Sequence, residues 1–512
     1  MLFQSQHRCQ GLSQNNGSRH GLEMKIVLIN PPFLFPHRKF GGPSQCLGLR
    51  SLSAILKKQG HNVSIVDAFS EGLKNIKPYA NGFVVGLEYS QVLARVPSDT
   101  ELIGVGVPFS QLAPIAHELI ALLRERFPNT RIVMGGVYPS TQPRLALTSD
   151  ADLIIIGEGE LAIVAIAAGK DPASIVGVYT KKYLKGSPVF YQAEMVANLD
   201  DLPFPDCDFP GIEKYFSSPR LCGQCNTASI VTSRGCPYAC EFCSIHPVYG
   251  RKWRARSAKN VLEEIRFLYQ RFGVKRIEFE DDNLTLDRDR AAEIFEGVRR
   301  LNEQGAGIHW NTPNGIRIDT LDEELIRLMK LSGCESIVLA LEHGDPEMLR
   351  IMNKKLDLDV AYRTIAWCVR HDIPSIVVFV IVGYPGETRK CFEVGWRYLK
   401  RIQSLSASIS IAPNIAQPYP GTKLLERCRA NGYIKDGNID NFLIRRDIMS
   451  TSGTVSITTL DFDAKEVLRR HYLLLTMMPG PHWKQILRRR IPQRLMNVVR
   501  KMRGFPPPSE AR

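Results

Sequence analysis

No apolar run in this chain of 512 residues approaches the roughly 18 residues of a membrane-spanning helix. Its apolar content comes in short pieces such as Ile376–Val382. The opening stretch, Met1–Met24, lacks the apolar core of a signal peptide, so a reducing cytoplasm is expected. Cysteines are accordingly read as thiols or ligands and not as a disulfide framework. Short solenoid repeats are missing, and no recognisable RNA-binding module is appended. Acid is absent near the end: Lys484 to Arg503 holds eight Lys or Arg and no Asp or Glu. A hydrophobic fraction of 44% with 23% charged residues excludes disordered and fibrous classes. The net charge of +14 favours anionic partners, whether phosphate, acidic protein or lipid surface, and chooses none of them.

What is present is alternation. KIVLIN (Lys25–Asn30), VSIVDAF (Val63–Phe69), ELIGVGVPFS (Glu101–Ser110), RIVMGGVYPS (Arg131–Ser140) and ADLIIIGEGE (Ala151–Glu160) read as buried strands with their loops. Helices are predicted over Leu47–Gln59 and Ile115–Arg126. The pattern predicts a mostly parallel sheet covered on both faces, with ligands beyond the C-terminal strand ends. After a proline-rich linker at Leu202–Pro210, a second series begins near Ala228 with strands ASIVTS, KRIEFED, IHWNTPNG, ESIVLALE, SIVVFVIVG and SASISIAPN. Its helices include Ala258–Gln270, Arg288–Gln304 and Glu323–Leu331. Six such units are too few for a closed eight-stranded barrel and fit an incomplete one. The expected division is an α/β chain with a flexible arm over 1–23, a first domain over 24–165 and a connecting region over 166–227. A partial barrel over 228–425 and a small, mostly helical region over 426–512 complete it.

The sharpest local signal is SRGCPYACEFCSIHP (Ser233–Pro247), in which Cys236, Cys240 and Cys243 are spaced C-x3-C-x2-C. Three thiolates on one loop can hold three irons of a cubane cluster, leaving the fourth open to a substrate or cofactor. Zinc normally takes four protein ligands in a closed site, so a zinc knuckle is a poorer fit. Ordinary buried thiols remain the third reading.

The loop resembles that of the radical S-adenosylmethionine (SAM) enzymes, in the class with an N-terminal cobalamin-binding domain. The likeness runs over Lys25–Leu425 and includes FEDDNLT (Phe279–Thr285), ALEHGDPEMLRIMNKK (Ala340–Lys355), IVGYPGET (Ile381–Thr388) and PYPGTKL (Pro418–Leu424). It implies a Rossmann-like cobalamin-binding domain followed by a partial (β/α)6 barrel, with a [4Fe–4S] cluster, SAM and cobalamin as cofactors. Cys236, Cys240 and Cys243 would ligate iron, with Tyr238 and Phe242 beside them. Asp281 or Asp282 would meet the ammonium of the methionine portion; helix capping or a solvated strand end is the plainer reading of the pair. Asn314, Arg317 and Glu342 are candidates for ribose and carboxylate contacts. Gly383 would present backbone beside the adenine.

In the first domain PPFLFP, GVPFSQL, MGGVYPS and IGEGE look like the cobalamin-binding half of these enzymes. Glycine loops alone leave phosphate binding and a vestigial fold equally open. The candidates around the cobalamin tail are Gly135, Gly136, Gly157, Glu158 and Gly159, with Ser110 at the tail or the corrin amides. No Asp-x-His-x-x-Gly motif stands in the first loop, and His61 and His117 read as ordinary satisfied or exposed histidines. The resemblance therefore implies base-off cobalamin without a histidine ligand. It also implies methyl transfer to an unactivated carbon through a 5′-deoxyadenosyl radical and methylcobalamin, with no protein nucleophile. Cyclisation, oxidation or rearrangement with the same cofactors is the alternative, and a non-enzymatic corrinoid-binding regulator the remote one. A cellular one-electron reductant is the expected partner, and the substrate is a small molecule, a peptide or protein side chain, or a lipid. Nucleic acid is not expected.

Cys222 and Cys225, in LCGQC, depart from the family pattern; packed thiols, an auxiliary metal site and redox exchange are all open. The tail His482–Gly504 interleaves basic and apolar groups, which suits packing on the barrel. Peripheral contact with an anionic membrane at its inner face is the second expectation for it.

Overall fold

The computed structural model describes residues 23–35, 45–79, 82–216, 226–434 and 455–477. Most of the N-terminal arm, Cys222, Cys225 and the basic tail lie outside the described residues. The first domain holds β1 (Lys25–Asn30), β2 (Phe33–Phe35), β3 (Asn62–Asp67), β4 (Ile76–Tyr79), β5 (Gly82–Val85), β6 (Leu102–Gly106), β7 (Arg131–Gly135), β8 (Leu153–Ile155) and β9 (Val178–Tyr179). Its main sheet runs β3-β1-β6-β7-β8 in parallel, with β9 antiparallel at the edge. Ile26 to Ile29 on β1 are fully buried, the continuous apolar run of a central strand covered on both faces. The order reverses between β1 and β6, so the crevice for a ligand opens above their C-terminal ends.

Two local expectations change. Val63–Phe69 is a strand only to Asp67, where the Asp67 carboxylate accepts from the Ser70 amide and starts a short helix. A three-stranded antiparallel sheet of β2, β5 and β4, unforeseen from the sequence, packs beside the crevice. The proline-rich linker is fastened to the helix Leu47–Lys58: buried Arg50 donates to the Asp206 carbonyl at 2.8 Å and Ser53 to the Asp206 carboxylate at 2.6 Å.

The second domain contains β10 (Asn226–Ile230), a small hairpin of β11 (Ser233–Arg234) and β12 (Arg254–Ala255), then β13 (Val274–Phe279), β14 (His309–Ile316), β15 (Cys334–Glu342), β16 (Ser375–Val382) and β17 (Ile409–Ile415). Six strands, β10-β13-β14-β15-β16-β17, form one parallel sheet in chain order, a partial barrel. Helices Ala258–Phe272, Arg288–Glu303, Glu323–Leu331, Leu358–Arg370 and Arg389–Gln403 belong to its crossovers. Each starts at a side chain, Ser257, Asp287, Asp322, Asp357 or Thr388, that accepts from a first-turn amide. On β16, Ile376, Val378, Val380 and Val382 are buried, while Val377, Phe379 and Ile381 point the other way and stay half-exposed. That alternation marks an open groove.

In the C-terminal region the helix Ala464–Leu475 packs on β17 and β16. One apolar core runs through both domains, from Ile26 and Leu56 to Ile230, Ile376 and Val467. Among the described residues no helix is long and apolar enough to cross a membrane.

Candidate active site

Cys236, Cys240 and Cys243 lie on the loop that leaves the β11 strand, each half-buried and each a free thiol. The loop is held from many sides. Asn353 donates to the Ala239 carbonyl at 2.8 Å, and the Glu241 amide to the Met352 carbonyl at 3.0 Å. Arg427 pairs with Glu241 at 2.6 Å, and His246 Nε2 stands 3.1 Å from the Cys236 carbonyl oxygen. Glu342, Asn353 and Lys355 all adopt positive φ, at 72°, 52° and 50°. Strained backbone at non-glycine residues is thus gathered around the cysteines.

Burial raises all three thiols above their ordinary range, Cys243 to about 12. At Cys240 the charges of Lys354 and Arg317 oppose that rise, and at Cys236 a hydrogen bond from Asn283 does so. Among the described residues no three His, Cys, Asp or Glu side chains converge on a single metal ion. A cubane does not ask them to, because each thiolate bonds an iron at a separate corner. Three thiols on one loop, with cationic side chains beside them to offset thiolate charge, fit such a cluster.

The acidic strand end separates its members. Asp281 is fully buried, accepting from the Thr232 amide at 3.1 Å, the Thr232 hydroxyl at 2.7 Å and the Ser233 hydroxyl. It is committed to the protein. Asp282 keeps an exposed surface, but the protein packed around its carboxyl and the neighbouring Asp281 push it up to about 7, against a hydrogen bond from the Gly235 amide. Its charge is felt at Cys236 and Cys243, so it is the member of the pair that faces the cluster loop. Glu280, not singled out from the sequence, is also pushed to about 7, by burial and then Glu278. Exposed Asn314 donates to the Glu280 carbonyl at 2.9 Å.

Three expected contacts are redirected. Arg317 does not stand ready as a carboxylate clamp: its Nη2 donates to Asp319 at 2.9 Å, Lys354 O at 2.8 Å and Lys355 O at 3.0 Å. Its guanidinium carbon sits 3.7 Å from the Tyr238 ring centre, so it stacks on the cluster loop instead. One oxygen of Glu342 is taken by Lys354 at 3.0 Å. The space in front of Gly383 is filled by Val467, which a Cβ there would meet at 2.7 Å; that glycine makes room for the C-terminal helix. Phe242 packs half-buried against the core.

In the first domain Ser110 and Gly135–Gly136 come together at the crevice, Ser110 lying 3.5 Å from Thr141 on the helix after Gly136. Gly136 takes φ of 112° against the Val107 carbonyl, and a side chain at Gly135 would meet only open space. Phe109, 48% exposed, sits at the same edge with one side against Phe33. An open cradle edged by backbone and an uncovered aromatic fits a large, partly apolar macrocycle. Gly157, Glu158 and Gly159 were expected around its tail and are turned elsewhere. A Cβ at Gly157 would press on Gln192 and the Val248 carbonyl, and one at Gly159 on Leu52, while Glu158 is buried in ion pairs with Arg254 and Arg234. His61 accepts from the Met24 amide and His117 pairs with Tyr138 at 3.0 Å, so both are engaged within the protein.

Residues 37–167 match the B12 binding domain and residues 230–394 the Radical SAM superfamily. The chain belongs to the cobalamin-binding radical SAM enzymes. It is 26% identical to an uncharacterized methyltransferase of Pyrococcus horikoshii, over 89% of this chain and 93% of that one. It is 28% identical to the cytidylyl-2-hydroxyethylphosphonate methyltransferase of Streptomyces wedmorensis, over 80% and 82%. Against the anaerobic magnesium-protoporphyrin IX monomethyl ester cyclase of Synechocystis sp. identity is 27%, over 70% and 68%. The fold is shared with OxsB, a cobalamin-dependent SAM radical enzyme, at a TM-score of 0.66 and 17% identity, covering 94% of this chain and 72% of that one. Its cofactors are a [4Fe–4S] cluster, SAM and cobalamin.

Proposed function

We propose that this enzyme carries out a radical reaction at an unactivated carbon of a substrate held in the barrel groove, with methyl transfer as its outcome. The observation that carries the radical chemistry is the junction of the two cofactor regions: Glu158 and Glu160, just after β8, are ion-paired to Arg234 on the strand that leads into the cysteine loop. A substrate above the barrel would then stand between both sites. Methyl transfer as the outcome is supported by the likeness to the methyltransferases of Pyrococcus horikoshii and Streptomyces wedmorensis. When bound, the cluster with SAM supplies a carbon-centred radical and cobalamin a transferable methyl group.

The protein's own part is binding, orientation and exclusion of water. Asp282 is the proposed partner of the SAM ammonium, with Asn314 near it at the ends of β13 and β14. The groove is chemically two-sided. Val338, Ala340 and Phe379 meet above Gly315 and form an apolar wall, while Ser229 and Glu280 line the opposite edge. Misplacement of the reacting carbon by about 1 Å would be costly, which is why a rigid groove matters. Ring closure with the same cofactors is the second reading, and the cyclase of Synechocystis supports it at an identity close to that of the methyltransferases.

Cells carrying or lacking the gene, fed methionine labelled in its methyl group, separate the two outcomes. A gene-dependent product that carries the label, lost with Cys240→Ala, supports methyl transfer; an unlabelled product two hydrogens lighter supports cyclisation. For the cobalamin, a base-off, histidine-free state is proposed: the family likeness implies it, and His61 and His117 are engaged within the protein. Its cob(II)alamin electron paramagnetic resonance spectrum should then show no nitrogen superhyperfine splitting, and splitting would contradict that coordination.

A further inference from the structure

The two cofactor regions are joined by four charged side chains that the chemistry proposed above does not use. The antiparallel pair β11–β12 sets Arg234 directly opposite Arg254, so two guanidinium groups project side by side toward the first domain. The segment after β8 answers with Glu158 in the turn and Glu160 at the start of the helix Glu160–Ala167. Arg254 grips Glu158 with both terminal nitrogens, Nη1 at 3.1 Å and Nη2 closer, and Nη1 also donates to the Val196 carbonyl at 2.6 Å. Arg234 reaches Glu160 at 2.7 Å and Glu158 at 3.3 Å. Side-chain exposures are 1% for Glu158, 5% for Glu160 and Arg254, and 12% for Arg234. Burial alone would raise the Glu160 carboxyl, but Arg234, a backbone amide and Arg254 together outweigh it and hold that pKa below the ordinary value. The set is neutral and largely shielded from solvent.

We propose that this quartet is a positioning clamp that sets the distance and angle between the cobalamin loops and the cysteine loop. Arg234 stands two residues before Cys236, and the turn bearing Glu158 continues from the strand neighbouring β7 and its Gly135–Gly136 cradle. A parallel thread runs beside it: Gln192 donates to the His246 carbonyl at 2.7 Å, and His246 stands by the Cys236 carbonyl. Apolar packing could join two domains as firmly, since replacing buried ion pairs by hydrophobic groups is often neutral or stabilising. A two-pronged guanidinium–carboxylate contact adds direction, because its bonds hold only within a narrow range of approach. The inference rests on the cofactor set and is independent of whether methylation or ring closure follows.

The test uses the full-length holoenzyme, loaded with cluster and cobalamin and poised so that the cluster is reduced and the cobalamin is cob(II)alamin. Pulsed electron paramagnetic resonance then reads the separation of the two spins. The wild-type protein should give one narrow distance distribution. Glu158→Gln and Arg254→Met should shift or broaden it while cluster and cobalamin content stay at the wild-type level. Arg254→Lys, which keeps the charge and loses the second prong, should fall between. The variants should also release 5′-deoxyadenosine from SAM, which a clamp acting only through geometry does not prevent. Wild-type distance distributions in variants that retain both cofactors would overturn the proposal. So would loss of cofactor from every variant, Arg254→Lys included, because the quartet would then be a brace for folding only.

Discussion

Glu280 shows how one residue at the end of a strand records the character of the whole groove. Its carboxyl is pushed to about 7, first by burial and then by the charge of Glu278, against an ordinary value of 4.5. The folded chain therefore holds a proton there that the unfolded chain releases earlier. The resulting stability is complete below pH 4.5 and is lost as pH rises toward about 7. Glu280→Gln should remove that slope. At pH 8 the variant should be more stable than the wild type by an amount on the order of 1–3 kcal/mol, with no gain at pH 4. Urea denaturation at both pH values checks this, and equal gains at both would show that the carboxyl is not the cause. FEDDNLT drew attention to its two aspartates, yet only the fold tells them apart. Asp281 is spent on Thr232 and Ser233, and Asp282 is left to face the cysteines.

The element that answers most directly to its sequence is β16. Its apolar run SIVVFVIV is buried at alternate positions and half-open between them, as a strand with helices behind and a groove in front requires. At its far end, where IVGYPGET is read as backbone beside the adenine, the Cβ side of Gly383 is taken by Val467 of the helix Ala464–Leu475, which lies more than 80 residues further along the chain. Buried Arg470 of that helix donates to the Glu387 carbonyl at 2.8 Å, and the Glu387 carboxylate accepts from the Gly383 amide at 2.6 Å. Gly383→Ala would force a Cβ against Val467 at a φ of 77°. A loss of about 1–3 kcal/mol is expected, from overpacking and from the left-handed backbone together. Val467→Ala in the same chain should recover part of that loss in a denaturant titration. No recovery would mean that the backbone conformation alone carries the cost.

Across the whole molecule the domains share a core, and the buried charges of Glu158, Glu160, Arg234 and Arg254 cross between them. Removing one member of a buried ion pair commonly costs about 3–5 kcal/mol, so neither domain gives up the other cheaply. The full chain should unfold in a single calorimetric transition despite its length. Two resolved transitions, one retained when the first domain is proteolysed away, would show that the shared core does not couple them.

Local pattern by itself determined a good deal of this protein. The two strand–helix series, most helix starts and the cysteine loop are written in runs of adjacent residues, where apolar periodicity, capping side chains and ligand spacing act over a few positions. The three-stranded sheet beside the crevice was not legible, because FLF and IKPY are too short and too mixed to signal strands without their partners. Nor were the duties of Arg317, Glu158 and Gly383. Each is decided by a neighbour brought in from far along the chain: Tyr238 for Arg317, Arg254 for Glu158, Val467 for Gly383. A charged or flexible residue in a loop at a strand end has the chemistry to meet a cofactor or to hold the protein together. Which of these it does depends on whether its donors and its space are already taken, and that is settled only when distant segments pack.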